Sequence, residues 1–272
     1  MLPPFRIFYI IAFAATWIIG GVGLLLAQWI PGFPPFSSGS PLYYLAAYSV
    51  SIAGIYLTVH YDGRDGLRRM LNRALPWRAH ISWYTVVIGG YAVMTAAAIH
   101  FAPLFHYPQI AIPEWRYLLT GPFVTLALDP GPIGEEFGWR GFALPRLLDR
   151  WTPLGATLNL GLAHSLWHLP LFFVSGMSQN GLIFPVFAIG VMSIAIIDTW
   201  LYLHTYGNLA LAIVVHLMSN FCGGIIGTQS LPLLIAGEAI AALAIVSLGG
   251  LKPPGALREV TGKPKVNRPA AE

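Results

Sequence analysis

Apolar stretches recur along the whole chain, separated by short polar connectors. About 20 apolar residues suffice to cross a hydrocarbon core as a helix, and on that measure the pattern predicts eight transmembrane helices. They run approximately 6–29, 42–60, 81–101, 115–144, 153–174, 182–203, 208–226 and 231–251. The fourth is long and is interrupted at Asp129-Pro130-Gly131-Pro132. Proline removes a backbone donor and kinks or breaks a helix, and a broken helix at membrane depth is tolerated where it lines a cavity. The fold class expected is all-α, a polytopic integral membrane bundle.

The basic residues orient these spans. Arg6 precedes the first, while Arg64, Arg68, Arg69, Arg73 and Arg78 fill the connector 61–80. Arg140, Arg146 and Arg150 flank the end of the fourth, and Lys252, Arg258, Lys263, Lys265 and Arg268 follow the last. With both termini inside, 14 of the 15 basic residues are cytoplasmic and only Arg116 is outside. The positive-inside rule thus favours eight spans, N-in and C-in. Residues 1–251 are expected to form one transmembrane domain, and 252–272 a basic, disordered cytoplasmic tail.

Composition agrees: hydrophobic residues make up 56% and charged ones 10% of the chain, with a mean hydropathy of +0.65. These values exclude an ordinary soluble domain. The single cysteine, Cys222, excludes an intramolecular disulfide and a multi-cysteine metal site. A pI near 9.3 does not indicate nucleic acid, because the basic residues sit in connectors. The start of the chain is too weakly basic, and the apolar run after it too long, for a signal peptide. No transporter-type repeat is visible.

Against this apolar background the polar groups inside spans stand out. An ionisable group at the centre of a membrane helix costs roughly 2.5–3.5 kcal/mol on insertion scales, so it is retained when paired, solvated or used. Glu136 and Arg140 are i, i+4 and can pair on one helix face, which leaves Glu135, turned about 100° away, to face a cavity. The plainer reading is a salt bridge at the headgroup level. His164 and His168 form a second i, i+4 pair, and His216 and Asn220 a third. A lone histidine in an apolar helix is commonly a satisfied interhelical hydrogen bond, but three helices each bring a pair. Glutamate and histidine can orient and deprotonate water, and histidine with an asparagine amide can stabilise an oxyanion. That suits peptide hydrolysis without a covalent intermediate. His-Glu-x-x-His, Gly-x-Ser-x-Gly and a phosphate loop are absent, and adjacent His164 and Ser165 do not face each other. A zinc site on Glu135, His168 and His216 is the alternative chemistry. Asp198 can accept a bond from a neighbouring helix; the residues suggest no role for Glu238.

Glu135-Glu136-x-x-x-Arg140, His168 on the next span and His216-x-x-x-Asn220 resemble the CPBP intramembrane glutamic endopeptidases. That family includes the type II CAAX prenyl endopeptidases and bacterial proteins linked to bacteriocin self-immunity. The resemblance covers about residues 115–225. It implies that Glu135 and His168 activate water, that His216 and Asn220 form the oxyanion site, that Glu136 and Arg140 support them, and that no metal is required. One position departs: where the family usually has phenylalanine four residues before the second-motif histidine, this chain has His164. An extra imidazole there can hydrogen-bond within the site or pack.

The expectation is therefore an intramembrane endopeptidase acting on a membrane-anchored protein or peptide within the lipid bilayer, with no nucleic acid partner. The expected location is a bacterial cytoplasmic membrane. A non-catalytic membrane protein that binds a peptide and confers bacteriocin immunity is the alternative from another class. A proton-coupled transporter is a third reading.

Overall fold

The computed structural model describes residues 2–252, and these are helical, with no strand among them. Most of the expected basic tail therefore lies outside the described residues. Five helices are long and apolar enough to cross a membrane, and this is a membrane protein: Pro4–Trp29 (α1), Pro41–Arg73 (α2), Ile81–Phe101 with the turn that extends it, Phe184–His204 and Leu209–Ile226. Ile81–Phe101 is α3. The other expected spans appear as shorter or broken helices. Trp115–Leu128 (α4) stops at the Asp-Pro break, and the chain resumes as Gly131–Glu136 (α5), a π-helical turn at 137–143 and Leu144–Leu148 (α6). Pro153–Trp167 (α7) runs into a tight turn at 169–173. Phe184–His204 is α8, Leu209–Ile226 α9 and Leu231–Ser247 α10.

Local chemistry sets these limits. The Ser40 side chain accepts from the Tyr43 N–H at the start of α2, Thr152 from Gly155 at the start of α7, and Asn208 from Leu211 at the start of α9. Pro4, Pro41 and Pro153 occupy the first helical position, where the missing N–H costs nothing. α1 buries Phe5, Phe8, Ala12 and Thr16, a stripe at helical spacing, and leaves Ile10, Trp17, Ile18 and Leu25 exposed on the surface that lipid covers. Thr16 Oγ1 donates to the Ala46 carbonyl at 3.0 Å and ties this stripe to α2.

The structure departs from the expected second connector. α2 does not end near His60 but bends at Gly63, whose φ of 67° is open to glycine, and continues to Arg73. The bend carries two basic-residue anchors. Asp62 pairs with Arg146 at 2.5 Å. Arg73 Nη1 donates to Tyr202 Oη and Nη2 to the Gly141 carbonyl, both at 2.9 Å. The second bond has a cause in the sequence: Pro145 lacks the N–H that a regular helix would direct at Gly141, and the arginine supplies the missing donor.

Glycine also brings the central layer together. A Cβ on Gly54 of α2 would lie 2.6 Å from Gly138 Cα, and one on Gly138 would lie 2.6 Å from the Val50 carbonyl oxygen. Backbone therefore meets backbone where α2 crosses the π turn, as small residues allow in membrane helices. Around this crossing Phe8, Trp139, Phe142, Leu144 and Leu160 are fully buried. A second apolar core joins α3, α8, α9 and α10 through Tyr91, Leu201, Leu211, Val215 and Leu234. The broken fourth segment thus runs through the middle of the bundle, with its polar residues held between two apolar cores.

Candidate active site

α5 begins with its own cap. Asp129 is extended (φ −99°, ψ 116°), and its Oδ1 accepts from the Gly131 N–H at 2.9 Å, so the break at Asp129-Pro130 starts a new helix. The preceding helix end is held from α2, where Tyr44 Oη donates to the Leu128 carbonyl. Four residues after Gly131 the polar group begins, and Glu135, Glu136 and Arg140 are 5%, 0% and 1% exposed.

Glu136 and Arg140 pair at 2.8 Å, as their spacing predicts, although the pair straddles the junction of α5 and the π turn. Arg140 Nη2 reaches a second carboxylate, Asp198 of α8, also at 2.8 Å. His216 Nδ1 of α9 lies 2.8 Å from the same Glu136 oxygen that Arg140 uses. A carboxylate only accepts, so Nδ1 carries a proton and Nε2 is directed elsewhere. Nε2 faces Gly131: a Cβ added there would be 2.8 Å from it, so this approach requires glycine.

Glu135 takes the other direction. Its Oε2 is 2.9 Å from His164 Nε2, and the His164 ring stacks on Trp139 with centroids 4.8 Å apart. His164 Nδ1 is buried with no partner. An unpaired acceptor costs less than an unpaired buried N–H, which fits a neutral ring donating from Nε2 to the carboxylate. His164 therefore both hydrogen-bonds and packs. One turn on, His168 Nδ1 donates to the His164 carbonyl at 3.0 Å, which leaves His168 Nε2 as an acceptor.

Glu135, His164, His168, His216 and Asn220 line one cavity of about 410 Å³. Glu135 and His168 also line a smaller cavity of about 150 Å³ on the α1 and α2 side. Asn220 does not stand free: its Nδ2 donates to Asp129 Oδ2 at 2.7 Å, leaving its second amide hydrogen for another acceptor. Among the described residues, the His/carboxylate group close enough to share an ion is Glu135, His164 and His168, whose ligand atoms lie within 4.8 Å of one another. His216, a member of the alternative zinc set, bonds through Nδ1 to Glu136.

The three polar pairs expected from the sequence line one cavity or stand directly behind it, and two further carboxylates, Asp129 and Asp198, bind to them. Asp129 was noticed only as part of a helix break, although an acidic residue before Pro-Gly is itself a turn-forming signal. Asp198, expected to accept a bond from a neighbouring helix, stands beside Arg140 of the π turn as an ion-pair partner.

Residues 114–222 match the family described as Type II CAAX prenyl endopeptidase Rce1-like. Among curated proteins, CAAX prenyl protease 2 of Methanococcus maripaludis is 34% identical over 92 residues, which cover 32% of this chain and 34% of the relative. The chain therefore spans about a third of the length of that relative. The matched segment begins before the broken helix and ends after Asn220, so it holds every member of the three polar pairs. Over residues 114–222 this chain is thus similar to the Rce1-like type II CAAX prenyl endopeptidases.

Proposed function

We propose that the protein is an intramembrane endopeptidase that hydrolyses a peptide bond of a membrane-associated protein or peptide, using water activated by Glu135 and His168. The observation that carries this reading is the pair of acceptors on one cavity wall: the Glu135 carboxylate, held by His164, and His168 Nε2, freed by the Nδ1 bond to the His164 carbonyl. A water bound between them is oriented by both. Glu135 takes its proton as the oxygen attacks the scissile carbonyl carbon, and then gives that proton to the departing amine, so no covalent intermediate forms.

The tetrahedral oxyanion needs donors. His216, bonded through Nδ1 to Glu136, can present Nε2–H as an imidazolium beside two carboxylate neighbours, and the second Asn220 amide hydrogen is available beside it. Arg140 balances the charge of Glu136 and Asp198 behind them. In this reading Glu135, His168, His216 and Asn220 act on the substrate, and Glu136, Arg140 and His164 position them. The chemistry needs no metal. Eight spans with both termini inside would place the site toward the cytoplasmic face, in keeping with a bacterial cytoplasmic membrane.

The test is a search for new peptide termini in membranes that carry wild-type protein, Glu135→Ala or His168→Ala. Termini found only with the wild type are expected; termini that persist with both variants would overturn the mechanism.

A further inference from the structure

The active-site cavity holds a second carboxylate that the proposed hydrolysis does not use. Glu238 lies on α10, whose residues are otherwise apolar or small, and it is 2% exposed. Tyr91 Oη of α3 and Ser219 Oγ of α9 both donate to its Oε1, at 3.1 and 2.8 Å. Oε2 receives no hydrogen bond from the described residues, and no lysine or arginine among them pairs with it. Gly190 of α8 packs against Ile235 of α10, where a Cβ would stand 3.1 Å from Ile235 Cγ1 and at ordinary contact distance, 3.6 Å, from Oε2. The Glu238 side chain, Ser219 and Gly190 line the same cavity as Glu135 and His168.

Holding Tyr91 and Ser219 together does not require a carboxylate, since a glutamine oxygen accepts both bonds at a smaller desolvation cost. What glutamate adds is a second carboxylate oxygen without a partner on the cavity wall, able to make a charge-assisted hydrogen bond when a cation arrives. An ionisable group retained inside a membrane bundle generally marks a binding or transport path. We propose that Glu238, with Ser219 beside it, forms a binding subsite for a cationic side chain, lysine or arginine, of the peptide in the cavity. This rests on the peptide-substrate reading above, and it assigns Glu238 a part in selection separate from the hydrolytic step.

Binding without turnover tests it. Full-length protein carrying Glu135→Gln is placed in lipid vesicles and titrated with fluorescent membrane-anchored peptides, identical except that lysine or norleucine occupies one scanned position. At one position the lysine peptide is expected to bind about tenfold tighter. Adding Glu238→Gln should bring the two affinities together. Glu238→Asp, which keeps the carboxylate, should retain part of the lysine preference, whereas a folding defect shared with Glu238→Gln would remove it in both. A merely structural Glu238 would weaken both peptides alike. A missing lysine preference at every position, or one that survives Glu238→Gln, would overturn the subsite. Peptides that bind with this preference but are never cut by the protein with Glu135 intact would overturn the hydrolytic reading instead.

Discussion

Asp198 on α8 stands 2.8 Å from Arg140 Nη2, and neither of its carboxylate oxygens makes a hydrogen bond to the described residues. Arg140 therefore serves two buried carboxylates at once, one through a hydrogen-bonded pair and one through charge. The two substitutions should consequently be unequal. Arg140→Ala takes the guanidinium from both Glu136 and Asp198 and leaves Asp198 with no ion-pair partner among the described residues, and removing one partner of a buried pair costs about 3–5 kcal/mol. Asp198→Asn leaves the Glu136–Arg140 pair intact and neutral, so it should lose clearly less. Melting curves in one detergent decide the order, and an Asp198→Asn variant as unstable as Arg140→Ala would make Asp198 the principal counterion.

Gly131→Ala should damage activity more than stability. The new Cβ would stand 2.8 Å from His216 Nε2 and 3.3 Å from Asp129 Oδ1, and the imidazole can move into the cavity. Misplacing a reacting group by about 1 Å can cost about 100-fold in rate. The expected result is a fall in kcat of that order with a melting temperature close to wild type; unchanged kcat would remove His216 from the oxyanion site.

His164 can be separated into its two contributions. His164→Phe keeps a ring to stack on Trp139 and loses the bond to Glu135, so it should cost about 1–3 kcal/mol. His164→Ala opens a void there and should cost about 3–5 kcal/mol, as truncating a buried aromatic does. Loss of the bond to Glu135 should lower kcat in both variants. Equal kcat in His164→Phe and wild type would make the histidine a packing residue alone.

The crossing of α2 with the π turn should tolerate no side chain. Gly138→Ala drives a Cβ to 2.6 Å from the Val50 carbonyl oxygen, which is fixed in its own helix. Overpacking typically costs about 1–3 kcal/mol, and backbone on both sides places this site at the upper end. Thermal melting checks it.

Much of this arrangement was legible because membrane helices write their length and polarity directly into the chain. The expected spans 81–101 and 208–226 coincide closely with α3 and α9, since ~20 apolar residues and an N-cap leave few alternatives. The i, i+4 spacing of Glu136 and Arg140 predicted their pairing, and that pairing survives the local change to π-helix. The continuation of α2 to Arg73 was not legible. Its polar residues suggested a connector, whereas the helix is held by long-range bonds from Arg73 to Gly141 and Tyr202. The bond between Asn220 and Asp129 joins residues 91 positions apart, and periodicity carries no information at that range.

Chelation separates the two ways of activating water. Protein washed with chelator should hold less than stoichiometric metal and keep its activity. Stoichiometric zinc lost together with activity would instead assign Glu135, His164 and His168 as ligands, the three whose donor atoms converge.

The central claim is that Glu135 is the base that activates water. Its most direct measurement is single-turnover cleavage of a membrane-anchored peptide by purified protein in vesicles, comparing wild type with Glu135→Gln, an isosteric change that can keep a bond with His164. General-base catalysis is worth about 100- to 10,000-fold, and Glu135→Gln should lose at least that factor while melting at or above the wild-type temperature. Cleavage by Glu135→Gln at close to the wild-type rate would contradict the account.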